Sequence, residues 1–186
     1  MRIISGTLRG KKILLPKDKK TRPLRDLVKE SIFNLIEHSN RFNFSIKNSI
    51  VLDLFSGTGS FGLECISRNA KKITFIENHK EALNILKRNI FTFKIEDNCK
   101  IINENCFDFI CSKKNFFEKF DLIFIDPPYK EKEINILIDN IIEKKMLNND
   151  GIIIIHRHKK DKIILSQKLK ILDQRNYGIS TITIGN

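Results

Sequence analysis

Strand-like and helix-like segments alternate along this chain from Ser49 onward, and this alternation is the feature that most restricts its fold. Short apolar runs of strand length recur, and segments whose apolar residues have helical spacing lie between them. Such an order is typical of a mostly parallel sheet with helices on both faces. The last two strand-like runs, 168–174 and 179–184, look like a closing antiparallel pair. We therefore predict an α/β fold with a doubly wound, mostly parallel, seven-stranded sheet.

The predicted elements have the following bounds. The strands span 50–55, 72–77, 100–103, 122–126, 151–156, 168–174 and 179–184. The helices span 60–69, 79–92, 106–112 and 132–145, and residues 160–166 show no clear period. A small extension precedes this pattern, with β-rich runs at 2–5 and 12–15, a turn near 8–10, and a helix over 24–38. The extension is thus a predicted β-hairpin plus helix over residues 1–40, ahead of a main domain of residues 41–186.

Positive charge is concentrated near the N-terminus. The 186 residues have a formal net charge of +12, and residues 1–29 hold ten basic side chains against two acids. A local excess of this size suggests a polyanionic partner such as nucleic acid. A solvated basic surface is the alternative.

Several classes of protein are not expected. No apolar run approaches the roughly 20 residues of a membrane-spanning helix, and the first residues lack a signal-peptide pattern. A cytoplasmic protein without a membrane partner is therefore expected. The four cysteines form no CxxC pair and no zinc cluster. His156 and His158 flank Arg157, but the surrounding cations make a poor metal site, so no metal is expected and a surface role is predicted for both histidines.

A glycine-rich turn follows the first strand of the main domain. Gly57, Gly59 and Gly62 have the G-x-G-x-x-G spacing at a helix start, which indicates that the backbone approaches a ligand closely. Asp53 lies four residues before Gly57. A carboxylate there would repel a pyrophosphate but attract an ammonium group. S-adenosylmethionine has such a group, so Asp53 favours this cofactor over a dinucleotide.

Polar residues also follow the next two strands. Glu77 ends the second strand, where an acid can accept hydrogen bonds from ribose hydroxyls. An exposed strand end is the alternative for Glu77. Asn105 follows the third strand, where its amide can meet an adenine edge, cap the next helix, or do both.

The fourth strand ends in Asp126-Pro127-Pro128-Tyr129. Each proline has a fixed φ and no N–H, so its carbonyl can point outward without a competing sheet ladder. Asp126 offers acceptor oxygens and Tyr129 offers a flat face. Together these groups suit a planar ring that bears an exocyclic amine. A strand that simply ends in a proline turn is the alternative.

The glycine turn and this proline segment are expected to meet in space. In a doubly wound sheet the first and fourth strands become neighbours, and a cleft opens between their carboxyl ends. A methyl donor on one side of the cleft and an amine on the other is the geometry that follows. The sequence thus predicts methyl transfer to a base.

The motifs together resemble the RsmD family, bacterial methyltransferases that act on N2 of a guanine in 16S rRNA. The resemblance covers nearly the whole chain, and its most specific part lies between residues 21 and 34. The matching segments are RIISG (2–6), RGKKI (9–13), TRP (21–23), DLVKESIFN (26–34), DLFSGTG (53–59), DPPY (126–129) and RNYG (175–178).

The resemblance implies a class I, Rossmann-like methyltransferase fold and S-adenosylmethionine as the cofactor. It implies small-subunit rRNA as the partner, either naked or with bound ribosomal proteins, and a monomer is expected. The residues implied to hold the guanine are Asp126, Pro127, Pro128 and Tyr129. The implied cofactor-binding residues are Asp53, Phe55, Gly57, Gly59, Glu77, Asn105 and Cys106. The implied nucleic-acid contacts, on a segment expected to cover the cleft, are Arg2, Arg9, Lys11, Arg22, Arg25, Asp26 and Lys29.

Three residues depart from the family pattern. Leu24 stands where threonine is common, Lys29 where arginine is common, and His156 where glutamate is usual after the fifth strand. The first departure affects a polar contact near the active site. No role in the reaction is assigned to His156 from the sequence.

Other functions fit parts of the pattern. A DNA adenine-N6 methyltransferase also uses an Asp-Pro-Pro-Tyr segment, but this chain has room only for a small recognition region. A protein-glutamine methyltransferase usually has Asn before the two prolines, and a NAD-dependent dehydrogenase fits Asp53 poorly. A catalytically silent RNA-binding module of the same fold also remains open.

Overall fold

A computed structural model describes residues 1–16, 24–39, 41–112, 118–161 and 163–186 of the chain. The described helices are α1 (Asp26–His38), α2 (Ser60–Ser67), α3 (Lys80–Phe93), α4 (Cys106–Cys111) and α5 (Ile134–Glu143). The described strands are β1 (Ile50–Leu54), β2 (Lys72–Ile76), β3 (Cys99–Ile102), β4 (Phe120–Ile125), β5 (Leu147–His158), β6 (Ile171–Tyr177) and β7 (Ser180–Gly185). A 3₁₀ turn, Glu96–Asn98, leads into β3.

The seven described strands form one sheet in the order β3-β2-β1-β4-β5-β7-β6. The first five strands pair in parallel, and β7 runs antiparallel to both of its neighbours. This arrangement confirms the predicted doubly wound α/β fold with a closing antiparallel pair. It also makes β1 and β4 neighbours, although two other strands separate them along the chain.

Alternate residues of the central strands supply two hydrophobic cores, one on each face of the sheet. Val51 points to the face that α1, α2 and α3 cover, and Leu52 points to the face that α4 and α5 cover. The same period of two runs along β4 and β5, where Phe124 and Ile154 share the first face. Continuing that period places Asp53, Asp126 and His156 on the α1–α3 side of the sheet.

The N-terminal segment forms a smaller ladder than predicted. Among its described residues, only Arg2 and Lys12 pair, as an isolated antiparallel bridge, and the chain reverses between Gly6 and Gly10, both at positive φ. The predicted hairpin is present but short: the Ile3 N–H bonds the Lys11 carbonyl and the Ile13 N–H bonds the Met1 carbonyl, and beyond Ile3 a side chain of α2 takes the N–H groups. The Glu64 carboxylate accepts hydrogen bonds from the Ile4 and Ser5 N–H groups, at 2.8 and 2.9 Å.

The closing strands also differ from their predicted bounds. β6 begins at Ile171, later than predicted, because the Leu169 N–H bonds the Ser166 carbonyl in a turn. β5 starts earlier, at Leu147, with an irregular register against β4. β5 also ends two residues later than predicted, at His158, so His156 lies inside the strand.

A buried ion pair joins the N-terminal segment to the main sheet. Lys29 on α1 is fully buried, and its Nζ lies 3.4 Å from Glu64 Oε2 on α2 and 2.8 Å from the Arg2 carbonyl. Burial lowers the pKa of Lys29, and the opposing charge of Glu64 limits that effect. Ile3, Leu8 and Ile13 belong to the same core as α1 and α2. The proposed boundary near residue 40 therefore separates segments that share a core.

No helix in the described ranges is long and apolar enough to cross a membrane.

Replacing Glu64 with alanine should lower the free energy of unfolding by about 3–5 kcal/mol, because it leaves the buried Lys29 ammonium without its counter-charge. It also removes the acceptor for the Ile4 and Ser5 N–H groups. Urea denaturation followed by circular dichroism measures this loss. The control is Glu118→Ala, since Glu118 pairs with Lys72 at the surface and should contribute less than about 1 kcal/mol. Equal losses in the two variants would contradict the assigned role.

Candidate functional site

A pocket of about 1180 Å³ opens at the carboxyl ends of the parallel strands. Its lining includes residues that directly follow four strands: 55–58 after β1, 77–79 after β2, 104–106 after β3 and 126–130 after β4. Its size lies at the upper end of what small-molecule sites show. Parallel sheets place ligands at this edge, where the strand order reverses.

The strand register explains why the two main motifs share this pocket. In the parallel pairing of β1 with β4, Asp53 lies opposite Phe124 and Leu54 opposite Ile125. The glycine turn and residues 126–129 therefore leave the sheet side by side. The structure brings together the two motifs that the sequence predicted to meet.

Asp53 is a buried carboxylate in the wall of the pocket. It is 2% exposed, and its Oδ2 accepts one hydrogen bond from the Gly62 N–H, at 3.2 Å. Burial raises the pKa of Asp53 well above its usual range, and the charges of Asp126 and Glu77 raise it further. A ligand with a positively charged group would relieve both the repulsion and the lack of solvation.

The glycine turn contains residues at positive φ and is supported by a side-chain hydrogen bond. Gly57 has a φ of 56°, and Phe55 before it has a φ of 61°, an uncommon conformation for an aromatic residue. Ser56 Oγ donates a hydrogen bond to the Asp53 carbonyl at 2.6 Å. Phe55 and Gly57 line the pocket.

Gly59, predicted to bind the cofactor, is not among the lining residues of the pocket. A Cβ there would overlap the Leu86 side chain of α3, and its φ is 84°. The positive φ strains any other residue at this position, so the turn itself requires glycine, which is an internal requirement of the fold. The sequence spacing alone did not distinguish this requirement from ligand contact.

Glu77 links two of the loops that line the pocket. Its Oε2 accepts the Gly57 N–H at 2.6 Å, and its Oε1 accepts the His79 N–H at 2.7 Å. It is half-buried, so it is not the exposed strand end that was the alternative. Each carboxylate oxygen can accept a further hydrogen bond, so this position still suits a pair of ribose hydroxyls.

Asn105 and Cys106 line the pocket next to Glu77. Asn105 Oδ1 accepts a hydrogen bond from the Phe107 N–H at 2.8 Å, so Asn105 caps α4. Capping was one of the two roles predicted for this residue. The rest of its side chain is exposed at the pocket. Burial raises the pKa of the Cys106 thiol to about 12, with a contribution from Glu131, so the thiol remains protonated near neutral pH.

The proline segment forms the opposite wall. Pro127 is buried, and Tyr129 is 44% exposed with its ring edge-on to His158, at 5.4 Å between ring centroids. The Pro128 carbonyl accepts a hydrogen bond from the Glu131 N–H at 2.9 Å. This carbonyl therefore belongs to a turn. Asp126, Pro127 and Tyr129 all line the pocket.

His156 lies against this wall, and the predicted surface role for it was wrong. It is 8% exposed, its Nδ1 lies 2.8 Å from Asp126 Oδ1, and its Nε2 lies 2.8 Å from Ser180 Oγ. The parallel register pairs Phe124 with Ile154, so the residues two positions later also lie side by side. An alignment of the two apolar runs of β4 and β5 was the signal that could have revealed the contact.

The N-terminal segment and α1 form the remaining wall, through Met1, Leu15, Leu24, Arg25, Asp26 and Val28. Four predicted nucleic-acid contacts have exposed side chains: Arg2, Arg9, Lys11 and Arg25. Lys11 Nζ also lies over the Phe93 ring, 5.5 Å from its centroid. Arg22, predicted to contact RNA, lies outside the described residues.

Two other predicted nucleic-acid contacts have different surroundings. Lys29 is fully buried in its pair with Glu64, so its ammonium cannot reach a phosphate and the predicted contact was wrong. Asp26 lies in the pocket wall, where its Oδ1 is buried without a hydrogen-bond partner among the described residues. Burial lowers the pKa of Lys29, and the negative charge of Asp26 partly offsets this effect. The signal that could have revealed the burial of Lys29 is its helical spacing with Ile32, Phe33 and Ile36, which share its face of α1.

Within the described ranges, no group of three or more His, Cys, Asp and Glu side chains could hold a metal ion.

Comparisons with known proteins agree with this geometry. A family model described as "Conserved hypothetical protein 95" matches residues 1–186. Ribosomal RNA small subunit methyltransferase D from Haemophilus influenzae is 33% identical over 180 residues, which cover 96% of this chain and 90% of the relative.

Two solved structures extend this result. The crystal structure of HI0767 from Haemophilus influenzae has a TM-score of 0.77 and 32% identity, covering 99% of this chain and 96% of that one. The structure of SMU.776 complexed with SAH has a TM-score of 0.64 and 20% identity, covering 86% of this chain and 48% of that one. The full-length family match and the relative above 30% identity together show that this chain belongs to the RsmD family of methyltransferases.

Proposed function

We propose that the protein transfers a methyl group from S-adenosylmethionine to the exocyclic N2 amine of a guanine in small-subunit (16S) rRNA. The observation that carries this proposal is the juxtaposition of Asp53 and Asp126 in one pocket, at the carboxyl ends of neighbouring strands. The first carboxylate suits a cationic donor, and the second suits an amine. The H. influenzae relative is named as a small-subunit rRNA methyltransferase, which supports the same class of substrate.

The donor side of the pocket fits S-adenosylmethionine. Asp53 is a desolvated carboxylate that has no ion-pair partner among the described residues, and the amino group of the cofactor supplies one. Glu77 and Asn105 offer acceptors for the ribose and the adenine, and Phe55 offers an apolar face. When bound, S-adenosylmethionine would supply a methyl group on a positively charged sulfur, which would leave as a neutral thioether when the amine nitrogen takes the methyl carbon. The proton that the nitrogen gives up would pass to Asp126 or to solvent.

The acceptor side holds and orients the base. The Asp126 carboxylate accepts an N–H of the amine, and the Tyr129 ring stacks on the base from the pocket mouth. Holding the amine in line with the methyl group can supply up to about 7–11 kcal/mol of the barrier reduction. A base in structured RNA must first leave its stack, at a cost of a few kcal/mol. The exposed cations of the N-terminal segment offset that cost through contacts with phosphates.

The first test is to identify the product. The protein is incubated with labelled S-adenosylmethionine and with naked 16S rRNA, small ribosomal subunits, DNA or ribosomal proteins, and the modified residue is identified by mass spectrometry. We expect N2-methylguanosine in the rRNA. Asp126→Ala should lower kcat by about 10²- to 10³-fold because it removes the acceptor for the amine. Asp97→Ala, an exposed acid in the 3₁₀ turn before β3, should leave the rate unchanged.

Label found only in DNA adenine or only in protein would overturn the proposed substrate. An Asp126→Ala variant that methylates at the wild-type rate would overturn the assigned site. If that variant binds RNA as tightly as the wild type but transfers nothing, a purely RNA-binding role is excluded.

Replacing Asp53 with asparagine should separate stability from cofactor binding. The folded pKa of Asp53 is raised, so its ionised form costs stability at every pH above the unfolded value of about 3.9. The neutral amide of Asp53→Asn would avoid that cost and keep an acceptor for the Gly62 N–H. The ligand-free Tm at pH 7 should therefore stay equal or rise, while the Tm increase given by S-adenosylhomocysteine should largely disappear. Thermal unfolding with and without this ligand checks both, and a full ligand-induced shift in the variant would contradict the proposal.

The salt dependence of RNA binding tests the N-terminal surface. Each phosphate contact contributes about 0.7 to 0.9 to the slope of log affinity against log salt concentration. Arg9→Gln should lower the steepness of that slope by this amount, because Arg9 is exposed on the segment that walls the pocket. The control is Lys100→Gln, an exposed lysine on the edge strand β3. Equal slopes for wild type and Arg9→Gln would show that Arg9 makes no phosphate contact.

A further inference from the structure

We infer that His156 and Ser180 fix the carboxylate of Asp126, and that His156 is a positioning residue for methyl transfer. This role rests on the proposed function, since it acts through the carboxylate that receives the amine. The three side chains come from three adjacent strands, namely the ends of β4 and β5 and the start of β7.

The strand pairing places the three groups in a row. Phe124 pairs with Ile154 across β4 and β5, which puts Asp126 beside His156. His158 pairs with Ser180 across β5 and β7, so Ser180 lies diagonally next to His156 on the same face. The resulting contacts are 2.8 Å from Asp126 Oδ1 to His156 Nδ1 and 2.8 Å from His156 Nε2 to Ser180 Oγ.

The hydrogen-bonding capacity of each group assigns the protons. An ionised carboxylate only accepts, so the Nδ1 of His156 must donate to Asp126. In the neutral ring Nε2 is then the acceptor, and the Ser180 hydroxyl donates to it. If the ring takes up a second proton, Nε2–H donates to Ser180 Oγ instead. In both states the Nδ1–H remains on Asp126, so the carboxylate keeps its orientation.

The consequence for the reaction is a fixed Asp126 with one oxygen left for the substrate. The terminal torsion of an aspartate is broad, so an unsupported carboxylate samples many orientations. Because His156 occupies Oδ1, the carboxylate plane is held and Oδ2 remains to accept the N–H of the amine. His156 itself cannot turn freely, since it is almost completely buried and bonded at both nitrogens.

The same order of atoms occurs in Ser-His-Asp hydrolases, in which the serine attacks the substrate. In this protein, the accessible end of the hydrogen-bonded row is the acid, Asp126. The Asp126 side chain is 24% exposed at the pocket, whereas Ser180 is only 4% exposed. The geometry therefore suits a supported carboxylate and not a serine nucleophile.

Two variants of His156 each keep one of its two hydrogen bonds. The amide nitrogen of asparagine takes the place of Nδ1, and that of glutamine comes close to the place of Nε2. His156→Gln should lower kcat by about 10- to 100-fold, the effect of losing one hydrogen bond to a charged group. The KM for RNA and the affinity for S-adenosylhomocysteine should change by less than about twofold. His156→Asn should recover most of the lost kcat. Equal losses in both variants, or wild-type kcat in His156→Gln, would overturn the role.

A second measurement does not depend on activity. The ¹⁵N spectrum of histidine-labelled wild-type protein reports which ring nitrogen bears the proton, and the His156 signals are assigned by their loss in His156→Asn. We expect Nδ1–H with Nε2 unprotonated in the neutral ring. A proton on Nε2 in the neutral ring overturns the inference even if the enzyme is active. A wild-type protein that methylates no RNA overturns the proposed function and this role with it, whereas an active wild type with an unaffected His156→Gln overturns this role alone.

Discussion

Two carboxylates that lie close together in a poorly solvated pocket are the constraint on which the rest of this structure depends. Asp53 lies near the carboxyl end of β1, and Asp126 follows β4, which pairs with β1 in parallel. Burial raises the pKa of Asp53, and repulsion by Asp126 raises it further. The fold retains both acids although the charged form of Asp53 is disfavoured there, so the site is suited to positive charge. A sulfonium cofactor carries that charge on the sulfur that bears the transferred methyl group.

The rest of the molecule makes this arrangement rigid. The Gly57 turn is tied to β2 through Glu77, and Asp126 is tied to β5 and β7 through His156 and Ser180. On the third side, the buried pair of Lys29 with Glu64 holds the N-terminal segment against α2. Through its bond to the Arg2 carbonyl, Lys29 holds the chain next to Met1, while Asn89 of α3 bonds Leu14 next to Leu15. Met1 and Leu15 line the pocket, near the exposed cations that we propose contact RNA.

The sheet and the meeting of its two loops could be predicted from the sequence because both follow from local signals. Apolar runs, glycine spacing and the two prolines each act within a few residues, and the strand order follows from the handedness of the crossovers. Lys29 shares one face of α1 with Ile32, Phe33 and Ile36, so its inward position follows from helical spacing, but its partner Glu64 lies on another helix and was not predictable. Gly59 has the expected spacing, but Leu86, which a side chain at this position would meet, lies on another helix. His156 required the register between β4 and β5, which no single segment contains.

The most direct test of the account is a crystal structure of the protein with S-adenosylhomocysteine bound. The account predicts that the ligand occupies the pocket between the Gly57 turn and residues 126–129. Its amino group should lie at Asp53, its ribose at Glu77, and its sulfur should face Asp126 across open space large enough for a base. A ligand bound elsewhere, or a sulfur directed away from Asp126, would contradict the claim that these two loops bring donor and acceptor together.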